Sequence, residues 1–567
     1  MSSFVPANLD CSNWSALEPL YRALLDRPLK SAADVEAWLS DFSALDETVD
    51  EFGSWKYINN TCHTDDEKIE KAYLHFVEEI EPKIKPIYFE LQKKFLAARA
   101  ATGLNEAPFP HLARRWQADV DVYRAENIPL QVEDTKLSTE YGKICGAMMV
   151  DFRGQQRTLQ QMSRFLEETD RATRQEAWEL ITKRRLADCE KIDGIFDKLV
   201  ALRDQMGRNA GHSDYRSFIW VVKKRFDYTP QMCLQFGDTV ERLVVPLIEE
   251  LDRQDAAEMG LSKLRPWDTA VDPKNRPPLR PFDQADIAGF VEKTRRMFDR
   301  LSPYWGKQFA TMKLGDTLDL DSRKGKRPGG YQCSLEKSKK PFIFMNAAGL
   351  QGDVETLLHE GGHAFHHLEA ARDVPLVFLR QAPMEFCEVA SMAMEILPAD
   401  HYNEFYPHGD EAARAKRKAL ERAIRLLPWV ATIDGIQHWM YTNPKHTQPE
   451  RTAAWLRTVN RFGSKAVDWT GLEDARASMW QRQSHFFGVP FYYIEYGIAQ
   501  LGALQLWLQF KQQPAQALEN YRKALSLGGT RPLPELFSAA GIRFDFSAAT
   551  IGPLVEAVRE ELAAIPA

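Results

Sequence analysis

With 567 residues, 44% hydrophobic and 27% charged, the chain is long enough for two or three subdomains of ordinary globular composition. A net charge of −7 leaves no basic footprint for nucleic acid, and 31 Gly with 31 Pro exclude a fibrous or low-complexity class. Seven cysteines without a CxxC pair read as reduced thiols, and the first ten residues lack the cationic and apolar stretches of a leader, so a cytoplasmic address is expected.

Most of the chain predicts helix. Residues 31–102 place Val35, Leu39 and Phe42, then Ile80, Ile84 and Ile87, at spacings of three and four, with Gly103 as a stop. Residues 154–209 continue in the same style, through Trp178, Leu180, Ile192, Phe196 and Leu199. The stretch 229–252 predicts one long amphipathic helix with a Thr-Pro start. The Pro-rich loop 263–285 marks a boundary between a helical front half and a catalytic back half. The only β signal follows, as a turn-forming Gly325–Tyr331 and an apolar Pro341-Phe-Ile-Phe-Met345. No apolar run is long enough to span a bilayer.

Chemistry concentrates in Asp353-Val-Glu-Thr-Leu-Leu-His359-Glu360-Gly-Gly-His363-Ala-Phe-His366-His367, an HExxH motif that Asp353 is placed to N-cap. Helical positions four apart sit about 40° apart on one face, so His359 and His363 can share one tetrahedral Zn²⁺ while Glu360 serves as base toward a water. Leu357, Leu358, Ala364, Phe365 and Leu368 mark the helix as buried rather than solvated. Gly361 and Gly362 each disfavour helix by about 1 kcal/mol relative to Ala. Such a pair predicts close approach of another backbone or of a substrate.

A third ligand is required, with one open position. His366 would sit roughly 7–8 Å along the axis of a straight helix, and the Gly and His of a metzincin are replaced by His366 and Glu369. His366 and His367 therefore read as supporting or surface groups. Downstream, Glu385, Glu388, Met392 and Glu395 form one stripe on an apolar helix, where carboxylates are costly to bury unless a cation faces them. Glu388 is the preferred ligand and Glu385 its rival, with Glu385 and Glu395 otherwise orienting the histidines.

His359-Glu-Gly-Gly-His363 followed 25 residues later by Glu388 in Glu-Val-Ala-Ser resembles the thimet oligopeptidase and oligoendopeptidase F family of metallopeptidases. Arg225-Phe-Asp-Tyr-Thr-Pro230, Leu264-Arg-Pro-Trp-Asp268, Asp434-Gly-Ile-Gln-His-Trp-Met-Tyr-Thr-Asn-Pro444 and the stretch from Leu525 to Phe537 look like its oligoendopeptidase F branch, over roughly residues 140–565. The resemblance implies a mainly α fold, two helical halves flanking a deep substrate channel, with a small β-sheet beside the zincin helix. The expected division is a helical region 1–140, a channel wall 141–265 and a catalytic half 266–567. It implies one Zn²⁺ per chain, oligopeptide substrates, no nucleic-acid or membrane partner, and a monomer or homodimer. The strand carrying Phe342, Ile343, Phe344, Met345 and Asn346 is expected to grip an extended peptide by its main chain.

The family's late His/Tyr cluster corresponds to His485 with Tyr492, Tyr493 and Tyr496, on a helix whose first turn Pro490 would open. An aromatic run alone is usually core; the resemblance raises His485 and the tyrosines to stabilisers of a carbonyl oxyanion. Expected activity is endopeptidase hydrolysis with Glu360 as proton acceptor and then donor. A related helical exopeptidase, or a peptide-binding relative without catalysis, would carry the same ligands.

Overall fold

A computed structural model describes residues 4–565 except Lys324 and Pro328. It is mainly helical, and its largest apolar core runs from Leu137 to Ile565. A second core is built by the N-terminal helices around Trp38, Phe42, Phe95 and Trp116. Val374 and Leu379, which follow the HExxH helix, belong to that second core, and Phe378 packs 4.8 Å from Phe42. Arg380 adds a buried ionic tie, reaching Glu47 at 2.6 Å and Glu336 at 3.0 Å. The N-terminal helices are thereby anchored directly to the segment that carries the site.

Three strands form a sheet in the order β3 (Leu318–Asp321), β5 (Lys340–Ala347), β4 (Tyr331–Leu335), with β5 parallel to β3 and antiparallel to β4. This order overturns the expectation for residues 342–346. At Ile343 and Phe344 both edges of β5 are already paired, so no peptide can add there. Phe342, Ile343, Phe344 and Met345 are buried, and the Asn346 amide donates inward to the carbonyls of Arg327 and Gly329. The edge strand beside Glu360 is β4, whose Gln332 N–H reaches toward the Glu360 carboxylate.

Other boundaries also move. A two-stranded hairpin, β1 (Met149–Phe152) and β2 (Gln155–Thr158), precedes the helices expected from residue 154; its turn uses Arg153 and Gly154 at positive φ. The predicted helix 229–252 is two helices, Pro230–Leu243 and Val245–Glu258, because Pro246 cannot supply the N–H that continuation demands. The HExxH helix spans Gln351–Asp373, so Asp353 lies inside it. Its carboxylate accepts from the N–H groups of Ala348 and Leu350, at 2.7 and 2.8 Å, and ties the entering loop to the first turn.

The paired glycines are explained by a crossing helix. Met384–Ile396, the glutamate helix, passes so close that a Cβ on Gly362 would collide with the Ala390 carbonyl and stand 2.6 Å from Ser391 Cα. A Cβ on Gly361 would meet Phe298 at 2.9 Å. Backbone-to-backbone contact brings Glu388 over the histidines. Gly362→Ala is expected to destabilise the chain by about 1–3 kcal/mol through overpacking. Gly352→Ala, on the same helix with open space around it, should be neutral or stabilising by up to about 1 kcal/mol. Calorimetric unfolding of the two variants distinguishes these outcomes.

Candidate metal centre

His359 and His363 project from one face of the HExxH helix, their rings 4.9 Å apart. Glu388 enters from the glutamate helix, with Oε2 at 3.5 Å from His359 Nε2 and 3.8 Å from His363 Nε2. One donor atom from each of the three lies within 4.8 Å of the other two. Two imidazoles and a carboxylate at this separation fit a zinc-sized cation, and N/O donors of this kind suit Zn²⁺. His359 Nδ1 is engaged by Glu395 Oε1 at 2.7 Å, which leaves Nε2 as its coordinating nitrogen.

Electrostatics agree with a cation here. Burial opposes charge on His359, yet the bond to Glu395 and the nearby Glu388 and Glu360 carboxylates lift its pKa to about 9. The imidazolium thus supplies positive charge that the surrounding acids demand. His363 is driven well below its usual range by burial and by His359. Burial pushes the Glu360 carboxyl up to about 7, with the Glu388 charge adding to the rise.

Glu388 is held on both oxygens. Tyr492 donates to Oε1 at 2.8 Å and Ser391 lies 3.1 Å from Oε2. Tyr492 therefore sits behind the ligand, as a positioning group. The tyrosine helix begins at Tyr493 and ends at Gln512; Pro490 falls in the preceding turn, before Phe491 at φ 60°. His485 lies 4.8, 5.9 and 6.0 Å from the rings of Tyr493, Tyr496 and Tyr492, so the whole cluster is assembled.

Glu385 departs from expectation. It accepts from Tyr228 at 2.6 Å and lies 3.9 Å from Arg225, which also binds Glu495 at 2.8 Å. Arg225 competes successfully for that carboxylate, so Glu385 neither orients a histidine nor faces the centre. His366 and His367 are buried, not surface groups; His367 lies 3.7 Å from Glu336.

Gln483 carried no signal in the sequence. Its Oε1 accepts from Trp429 Nε1 and Tyr493 OH, each at 3.3 Å, which orients its amide nitrogen toward His485 Nδ1 at 2.6 Å. The amide donates to Nδ1, so the imidazole proton resides on Nε2. Burial, reinforced by the Lys223 charge, lowers His485 to about 4 and keeps it neutral near pH 7. His485, Tyr493 and Tyr496 line the same cleft of about 1310 Å³ as His359, Glu360 and Glu395.

The fold and this arrangement have relatives. A solved structure of PZ peptidase A with an inhibitor superimposes with a TM-score of 0.89 at 27% identity, covering 99% of each chain. An oligoendopeptidase F homologue of Borreliella burgdorferi is 24% identical over 225 residues, 39% of this chain and 37% of its own length. Oligopeptidase A of Haemophilus influenzae is 22% identical over 411 residues, 60% of this chain and 59% of its own length. The matched segments thus span between about a third and three fifths of these two curated relatives. The peptidase M3 N-terminal domain matches residues 4–123, and peptidase family M3 matches residues 164–554. The chain belongs to peptidase family M3, a family of metallopeptidases.

Proposed function

We propose that the chain is a zinc-dependent endopeptidase that hydrolyses internal bonds of short, unfolded oligopeptides. The observation that carries this reading is the convergence of His359, His363 and Glu388 beside a large cleft that His359 and the buried Glu360 line. Zn²⁺, when bound by those three side chains, would supply Lewis acidity toward a carbonyl and acidify water. The free backbone of β4 beside Glu360, rather than β5, offers the main-chain grip.

The chain's own groups divide the remaining work. Glu360, in its ionised form, takes the proton of the attacking water and returns it to the leaving amine. His485 presents Nε2–H, and Tyr496 its hydroxyl, toward the side of the cleft where carbonyl charge would develop, while the Tyr493 hydroxyl is given to Gln483. Glu395 and Tyr492 hold the His359 ring and the Glu388 carboxylate in place. Among the described residues all seven cysteines are free thiols, and no helix is long and apolar enough to cross a membrane. Both facts fit the cytoplasmic reading.

A base must be deprotonated to act. kcat/KM is therefore expected to fall as pH drops through the Glu360 pKa, and a bound cation places that limb below the metal-free value of about 7. Glu360→Gln should retain zinc and fold while losing activity by on the order of 10³-fold or more. Full activity in a purified, zinc-loaded variant would refute the role. A fluorogenic internal peptide with a blocked C-terminus, assayed across pH, measures both effects and excludes an exopeptidase that needs a free C-terminus.

Ligand identity is separable from fold. Glu388→Gln should lower zinc affinity by about 10–100-fold or more, whereas Glu385→Gln should keep zinc and lower thermal stability. Zinc retention after dialysis decides between them. Replacing Gln483 with Glu would invite the proton onto His485 Nδ1 and remove the Nε2 donor. Gln483→Glu is expected to lose about 10²-fold in kcat with zinc content unchanged, and Gln483→Asn to lose less. Equal losses in KM alone would show that His485 only binds substrate.

A further inference from the structure

A second cluster of metal-binding types lies away from the cleft. Cys233 on the helix Pro230–Leu243, and Asp434 and His438, four apart on the long helix Glu411–Thr442, each offer a donor atom within 4.8 Å of the other two. All three are buried, at 2%, 2% and 3% exposure. His438 Nε2 lies 3.0 Å from Asp434 Oδ2, but Asp434 Oδ1 and His438 Nδ1 are buried with no hydrogen-bond partner. Two orphaned polar atoms of one cluster are an uncommon expense in a packed interior, where such atoms find partners in nearly every case. Arg225, whose charge reaches Cys233, binds Glu495 through Nη2 at 2.8 Å, and its Nε and Nη1 are buried without a hydrogen-bond partner.

We propose that Cys233, Asp434 and His438 form a second metal site, structural rather than catalytic, for a thiophilic divalent cation such as Zn²⁺. The chemistry balances: the Cys233 S–H bond breaks, its proton passes to solvent, and thiolate and carboxylate together neutralise the double charge while the imidazole stays neutral. A thiol coordinates as thiolate, so loading must release that proton. Three protein donors is the count of a catalytic zinc site. Here, however, none of the three lines the described cleft, and the Trp220 and Phe491 rings pack 5.8 and 5.3 Å from His438. A site enclosed by aromatic rings has no room for a peptide and holds two helices together instead.

Cobalt separates this site from the first, which contains no sulfur donor. The full chain, freed of metal and reloaded with Co²⁺, should take up two ions per chain and show a near-ultraviolet thiolate-to-cobalt charge-transfer band. Cys233→Ser should lose the band and one of the two ions, while His363→Ala should keep the band. Proton release on titration with Zn²⁺ should fall by one equivalent in Cys233→Ser. Uptake of a single ion without the band in the wild type overturns the proposal, as does a band that survives Cys233→Ser. The band is read on the wild type, so the test stands even if a variant fails to fold, and it is independent of whether His359 and His363 bind zinc.

Discussion

A carboxylate taken out of water is tolerated only beside donors or a compensating cation. Around the HExxH helix this chain buries Glu360, Glu385, Glu388 and Glu395 together, each with 16% or less exposure. Donors account for part of that charge: Arg225 and Tyr228 take Glu385, and Tyr492 and Ser391 take Glu388. The remainder falls on His359, which is held positive to about pH 9 despite its burial. A doubly charged ion between the two histidines and Glu388 would answer the same demand more completely. It would also release the histidine proton, because a coordinating imidazole must be neutral. The proposed metal and the charge on His359 are therefore two solutions to one problem.

That concentration of acids depends on how closely two helices approach. Side chains larger than hydrogen at position 362 would hold the glutamate helix away and carry Glu388 beyond reach of the histidine nitrogens. Glycine in a helix interior sacrifices about 1 kcal/mol of local preference. The crossing returns burial of Val389, Ala390, Met392 and Ala393 against the HExxH helix and its neighbours. Local propensity is overruled by packing, and packing in turn serves the site.

Much of this was legible in the residues. HExxH with the paired glycines pointed to a donor face and a close crossing, and the acidic stripe on an apolar helix offered Glu388 with Glu385 as its rival. Helical character followed from apolar spacing almost throughout. What stayed hidden has physical reasons. Strand order is a long-range property, so an apolar segment such as 341–345 looks the same whether it lies at an edge or, as here, in the middle. Glu395 orients His359 as its place on the stripe suggests, but the role of Glu385 on the same stripe is decided by Arg225 from another part of the chain. Gln483 belongs to no spacing pattern; only its three neighbours reveal that it sets the tautomer of His485.

Tyr492 shows how such remote groups reach the centre. Its neighbour Phe491 adopts φ 60°, a left-handed conformation that disfavours a bulky residue and stores about 1–3 kcal/mol. It is held there from every side. Its N–H donates to Gln437 at 2.5 Å, its carbonyl accepts from Arg225, and its ring packs against Trp220, His438 and Tyr441. The same residue thus touches the aromatic wall of the Cys233 cluster and, through the next peptide unit, aims the hydroxyl that fixes Glu388. A turn with one of these restraints would relax to a more favourable φ and swing Tyr492 away. With all of them present, the geometry of the ligand carboxylate is decided by Arg225 and by residues of the helices 215–222 and 411–442, none of which carries a donor of the first centre.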